Sequence, residues 1–210
     1  MEKLIELANK IEDKELRKKV IDYLKNPEPS HKDFKKYKKE EWAKATTPFM
    51  VGGVGAVRDV LNHTAAVTET CISLSEILQR NFKIKLNRDF LIAGALLHDA
   101  MKLFEWRTTK RGPEHTGLSL DHTLLGVAEL YKREFPEEVI HLVGSHPGES
   151  GTTQPRTPEA FLLHNVDNML SVIEHHGASG EQTLDRQVPI LFLDEETLEN
   201  IKKSSADEKK

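Results

Sequence analysis

A single cysteine, Cys71, in 210 residues leaves no partner for an internal disulfide and no set of thiolates for a zinc module. Long apolar runs are also missing. Stretches such as Phe90–Leu97 fall far short of the roughly 20 residues that a bilayer span needs. The opening MEKLIELANKIEDKEL carries acids from its second residue and no apolar leader, so a cytoplasmic chain with no membrane partner is expected. Neither sign of charge is in large excess: 30 basic and 34 acidic residues give a net charge of −4, which speaks against general electrostatic coating of nucleic acid. What remains is globular in composition, 38% hydrophobic and 30% charged, with a length that suits one ordinary domain and a small appendage. Histidine is abundant, with ten in the chain.

Apolar spacing predicts two short amphipathic helices, through Leu4–Ile11 and Leu16–Leu24, ending before Pro27 and Pro29. The stretch HKDFKKYKKEEWAK (31–44) interleaves six lysines with Phe34, Tyr37 and Trp42. It reads as a solvated helix face whose aromatics pack on the core, with a single-stranded nucleic-acid patch as the less favoured reading. Gly52, Gly53 and Gly55 predict a loop, followed by a long helix from Ala56 to about Arg80. Asn87-Arg88-Asp89 opens a further helix, Phe90 to about Trp106, apolar nearly all round and therefore central. A loop is expected over Arg107–Leu118, and helices over Leu120–Phe135, Glu137–Ser145 and Thr157 to about His175. VPILFL (188–193) is the one expected strand, and KKSSADEKK reads as a disordered tail. The division expected is a helical extension over 1–45, the main domain over 46–180 and a C-terminal segment over 181–210.

Within the central helix, His98-Asp99 interrupts a run of Leu, Ala and Ile. A carboxylate beside an imidazole in a core is costly unless something neutralises it. A divalent metal does so, the imidazole giving a neutral nitrogen and the carboxylate a charge and a bridge; an internal His–Asp hydrogen bond is the structural alternative. Lys102 lies three and four residues further along, positioned either to face a metal-bound anion or to snorkel to solvent. His63, His122, His146 and Asp167 fall on or beside separate consecutive helices, each of which can face the central one.

That ordered set resembles the HD superfamily of metal-dependent phosphohydrolases, whose hallmark is H…HD…D. The matching residues are His63 in LNHTAAV, His98 and Asp99 in LLHDAMK, and Asp167 in HNVDNM. Asp121-His122-x-x-x-Gly126 and Ser145-His146-Pro147-Gly148 are similar to the H-x-x-x-G and S-H-H-G segments of two-metal members. The likeness spans about residues 50–176, with a departure at Pro147, where many relatives carry a second histidine. It implies an all-α, HD-domain-like helical bundle with a central metal site. His63, His98, Asp99, His122, His146 and Asp167 would be its ligands, holding one or two divalent ions.

Sulfur-free, histidine-rich ligation suits Mn, Fe, Co, Ni or Zn. Asp99 as bridge and Lys102 as charge stabiliser are the expected catalytic residues, and Lys102 also contacts the phosphate. Arg156 is a candidate phosphate clamp, and His115 a candidate proton donor to the leaving oxygen. His31, His141, His164, His175 and His176 read as structural, His164 with a contact to Asp167 in view. LLHDAMK fits the HD-x-x-K variant. A chain of this size resembles archaeal members that open a 2′,3′-cyclic phosphate on a pterin, while SHPGESGTTQPRTPEAFLLHNVDNM resembles bacterial 3′→5′ exoribonucleases. The expected activity is hydrolysis of a phosphate ester of a nucleotide-like small molecule by metal-activated water. Exonucleolytic cleavage of single-stranded RNA is the alternative, and a decayed, non-catalytic binding module the third reading.

Overall fold

The computed structural model describes residues 1–178, which form one compact unit. The strand expected at 188–193 and the C-terminal tail lie outside the described residues.

Two short helices, α1 (Glu2–Ala8) and α2 (Lys14–Lys25), open the chain. The Asp13 carboxylate caps α2 by accepting from the Leu16 amide. Asp89 in turn accepts from the Glu12 and Asp13 amides at 2.9 and 2.8 Å, tying this corner to the start of the central helix. The lysine-rich stretch 31–44 is not a helix face: only Lys32–Phe34 makes a single 3₁₀ turn. Its anchors pull in different directions. The Glu40 amide donates to the Leu103 carbonyl, the Tyr37 hydroxyl to the Gly117 carbonyl, and the buried Trp42 indole to the Leu24 carbonyl.

Strict all-α architecture is corrected by two hairpins. In the first, β1 (Thr46–Val51) pairs antiparallel with β2 (Val54–Asp59). Gly52 and Gly53 form its turn at φ +56° and +81°, and positive φ at both central residues is the twist that a two-residue hairpin needs. The glycines therefore mark a turn between strands, where a loop before a helix was expected. The following helix, α3 (Val60–Phe82), starts four residues later than predicted, at the Asp59 cap whose carboxylate accepts from the Asn62 amide.

The central helix α4 (Arg88–Leu97) also ends early. His98 makes the last i→i−4 bond of α4, to Gly94; Ala100, Lys102 and Phe104 then donate to the carbonyl three residues back. This tightened stretch breaks the expected helix at the His-Asp pair, and α5 (Lys102–Glu105) is only a single turn. The expected loop after it is the second hairpin, β3 (Trp106–Thr109) with β4 (Gly112–His115). Asp121 caps α6 (His122–Lys132), and α7 (Glu137–Ser145) and α8 (Pro158–Ala178) complete the bundle. The molecule is thus mostly helical, with α4 in the middle.

Every residue of α4 from Leu91 to Leu97 is buried. It packs on α3, α7 and α8, and Gly94 lets α7 approach so closely that a Cβ there would meet the Leu142 Cβ at 2.7 Å. Leu4, Ile11, Val20 and Leu24 from the first two helices share one core with Val60, Ile92 and Leu96. No helix among the described residues is long and apolar enough to cross a membrane.

Candidate metal centre

The break after α4 sets Asp99 at the centre of four imidazoles, each from a different part of the chain. His63 comes from within α3, His98 from the end of α4, His122 from the first turn of α6 and His146 from the end of α7. Nε2 of His98 and of His63 lie 3.5 and 3.9 Å from Asp99 Oδ2. Nε2 of His122 and of His146 lie 3.5 and 3.8 Å from Oδ1. One carboxylate thus faces two histidine nitrogens with each oxygen. His63, His98 and Asp99 form one group able to hold a cation, and Asp99, His122 and His146 a second that shares the carboxylate.

What orients the rings is on their other nitrogen. Nδ1 of His98 and of His146 face the carbonyls of Ala95 and Val143 at 2.8 and 2.7 Å, each three residues back. Nδ1 of His122 faces Glu105 Oε2 at 3.0 Å, and Nδ1 of His63 faces the Glu174 carboxylate at 3.1 Å. An Nδ1–H fixed by an oxygen leaves the Nε2 lone pair free, the arrangement in which histidine ligates a metal. His98 Nε2, in the first group, and Asp99 Oδ1, facing the second, are buried without any hydrogen-bond partner, a costly state that a cation in each group would relieve. The donor set, nitrogen and carboxylate without sulfur, fits a divalent transition metal.

Charge is arranged to suit. Burial opposes ionisation of Asp99, but His98, Lys102, His122 and His63 outweigh it and hold the carboxyl well below the usual range. Burial lowers His98, and pushes His146 down to about 3, so both imidazoles are neutral and able to ligate at neutral pH. His63 is raised: burial works against its charge, but its bonds to Asp167 and Glu174 prevail. Asp167 is likewise held low, chiefly through the His63 bond against the opposing effect of burial. Its Oδ1 lies 2.9 Å from His63 Nε2, which places it at the edge of the first group. Lys102 donates to Asp99 Oδ2 at 2.9 Å, its side chain mostly buried.

The other two sequence candidates sit elsewhere. His115 is exposed on β4, packed edge-on against Trp106, with Nδ1 accepting from the Gly117 amide. Arg156 is exposed and gives its amide to His141, whose pKa is lowered by burial and by the Arg156 charge. His164, expected beside Asp167, places its ring 2.8 Å from the His146 carbonyl instead.

Three residues at the centre were not anticipated. Glu174 follows Asp167 by seven residues, two turns along one helix face, a spacing that could have revealed it. Glu105 is hidden by the helix break, and Arg58 by the hairpin. Arg58 Nη1 lies 2.9 Å from His63 Nε2, while its Nη2 donates to Ser171 Oγ.

Two cavities are lined in part by residues of the cluster. One, of about 260 Å³, is lined by Asp121, His122 and Thr152 among others; a second, of about 290 Å³, by Phe49, Arg58, His146 and Asp167 among others. Pro147 lines both, so the departure from the two-histidine pattern falls on the wall of each cavity.

Similarity to known proteins agrees with this geometry. The family described as HD domain matches residues 60–191. The dihydroneopterin 2′,3′-cyclic phosphate phosphodiesterase of Methanocaldococcus jannaschii is 41% identical over 176 residues, covering 82% of this chain and 70% of that protein. The 3′-5′ exoribonuclease YhaM of Geobacillus sp. is 35% identical over 42% of this chain and 31% of its own length. That of Listeria welshimeri is 31% identical over 46% and 36%. The chain thus spans about a third of these exoribonucleases. No solved structure matches. With its central His-Asp pair, its ring of imidazoles and a match over more than half its length, the chain belongs to the HD-domain family of metal-dependent phosphohydrolases.

Proposed function

We propose that the protein is a cytoplasmic phosphodiesterase that opens the 2′,3′-cyclic phosphate of a nucleotide-like small molecule, a pterin ester among them, using two divalent transition ions, Mn, Fe, Co, Ni or Zn. One observation carries the reading: Asp99 presents each of its oxygens to two imidazole nitrogens, as a carboxylate bridging two cations requires. His63, His98, Asp99 and Asp167 would hold one ion, and Asp99, His122 and His146 the other. The ions would supply a water acidic enough to attack at neutral pH and a Lewis-acid grip on the phosphoryl oxygens.

The protein's own residues do the rest. Glu174, Glu105 and the Ala95 and Val143 carbonyls keep the four rings turned so that Nε2 faces inward. The Lys102 ammonium, held against Asp99, adds a positive charge beside the place where charge builds on phosphorus oxygens. His115, exposed on β4, and Arg156, exposed before α8, are assigned the leaving-oxygen proton and a phosphate clamp. The domain is taken as 46–180, with 1–45 as a helical extension packed on its core and 181–210 as a C-terminal segment.

The relative covered over most of its length is named for a pterin cyclic phosphate, whereas the exoribonucleases match only in part; this favours the small ester over RNA. The test is turnover by metal-reconstituted protein of a panel holding dihydroneopterin and nucleoside 2′,3′-cyclic phosphates beside short single-stranded RNA. Ring opening of the cyclic esters with little loss in higher salt is the expected result. RNA shortening that falls steeply with salt would overturn it in favour of a strand-holding nuclease.

A further inference from the structure

Arg58 is a nearly buried cation, its side chain 5% exposed, held on β2. Its plane covers the Phe49 ring at 3.9 Å. Nη2 donates to Ser171 Oγ at 2.7 Å, and Nε lies 3.4 Å from Glu174 Oε2. Nη1 lies 2.9 Å from His63 Nε2 and 3.8 Å from Asp167 Oδ1. A guanidinium carries five N–H donors. The bonds to His63 and Ser171 leave several of them unused, and Nε is buried without a hydrogen-bond acceptor. The same side chain lines the 290 Å³ cavity between the β1–β2 hairpin and α8, together with His146, His164, Asp167 and Asn168.

A metal in the centre would change this arrangement. The single lone pair on His63 Nε2 cannot bind a metal and also accept from Nη1. A metal on that lone pair would leave Nη1 without its 2.9 Å acceptor, while Ser171, Glu174 and Phe49 would still fix the guanidinium plane. A planar cation with free donors, beside a metal centre and at the wall of a cavity, is suited to bidentate recognition of an oxyanion. We propose that Arg58 is a substrate-binding residue that grips a phosphoryl oxygen from the cavity between the hairpin and α8. The assignment rests on the proposed phosphodiesterase reading and deepens it by fixing the side from which the phosphate is held.

The test measures binding of inorganic phosphate to metal-loaded protein by calorimetry, for wild type, Arg58→Lys and Arg58→Gln, with metal content and melting temperature taken on the same samples. Arg58→Lys keeps the charge among Asp167 and Glu174, so it should retain metal and melt near wild type. Its phosphate dissociation constant should rise about tenfold, because an ammonium cannot make the paired contact, and the KM for a cyclic ester should rise with it. Arg58→Gln should weaken phosphate by roughly 10²-fold, on the scale of a lost charge-assisted pair. If the glutamine variant does not fold, the lysine variant decides alone. Unchanged phosphate affinity with full metal content overturns the proposal. So does loss of metal in step with loss of phosphate, which would make Arg58 a prop for the ligands. Phosphate binding needs no turnover: a wild type that binds phosphate through Arg58 but cleaves no cyclic ester sinks the phosphodiesterase reading and leaves this one standing.

Discussion

At the residue scale, Asp99 and Lys102 make separable demands. Asp99 is 1% exposed and surrounded by four imidazoles and an ammonium, and its carboxylate is the one negative charge that both ligand groups share. Asp99→Ala should abolish both metal retention and turnover, since no imidazole supplies the bridging charge. Elemental analysis after reconstitution checks this, and wild-type metal content in the variant would remove the centre from α4. Lys102 touches the same carboxylate but lies outside both ligand groups. Lys102→Ala should therefore keep its metal and melt near wild type while turning over about 10²–10³-fold more slowly, the scale of a lost preorganised donor. Lys102→Arg should recover only part of the rate, because a planar fork cannot stand where a compact ammonium stood. Near-native rates in both variants would identify the lysine as a mere partner of Asp99.

At the element scale, the sequence announced the ligands better than the backbone that carries them. His63, His98-Asp99, His122, His146 and Asp167 stand out because buried imidazoles and carboxylates interrupt apolar helices, and their order along the chain has a family pattern. The hairpins were missed because Thr46–Val51 and Val54–Asp59 are half exposed and lack clean alternation. Periodicity carried the long helix back to Ala56, although the Asp59 cap starts it at Val60. The same apolar continuity hid the break at His98. The turn there depends on backbone bonds to the carbonyl three residues back, which leave no mark in side-chain pattern. Arg58 and Glu105 went unseen for these reasons, since each lies on or beside a misread element.

Helix spacing also has a price at the centre. Gly94 sits where α4 touches α7, the helix that ends in His146. Gly94→Ala would set a Cβ 2.7 Å from Leu142 Cβ, backbone-proximal atoms that cannot swing aside. The helices must part, at a cost of about 1–3 kcal/mol. The expected outcome is a lower melting temperature together with weaker metal retention, because His146 moves with α7. Retention equal to wild type in a destabilised variant would uncouple the α4–α7 distance from the site.

At the scale of the whole molecule, the buried imidazoles make folding sensitive to acid. His146 is held down to about 3 and His98 is lowered too, both through burial, so the folded, metal-free chain keeps them neutral where unfolded imidazoles take up protons, below about pH 6.5. Their contribution is complete above that value and is lost as pH falls toward the folded values. Asp99 and Asp167, held low in the folded state, act in the same direction over the carboxylate range: their contribution is present above roughly pH 3.9 and fades below it. His63, raised by Asp167 and Glu174, acts oppositely: its contribution is full below about 6.5 and lost as pH rises through its folded value. Below about 6.5 His63 is protonated in both states, so the two lowered histidines set a net uptake on unfolding that approaches two protons, or ~2.7 kcal/mol per pH unit at the steepest. The metal-free protein should therefore melt progressively lower from pH 6.5 to 4.5. Metal and protons compete for the same Nε2 atoms, so saturating Mn²⁺ should raise the melting temperature at pH 7 and raise it less at pH 5. Thermal melts in chelator and in Mn²⁺ across that range measure both. A metal-free melting temperature that stays flat from 7 to 4.5 would mean that His98 and His146 take protons in the folded chain, and with them the basis for metal ligation at neutral pH would fall.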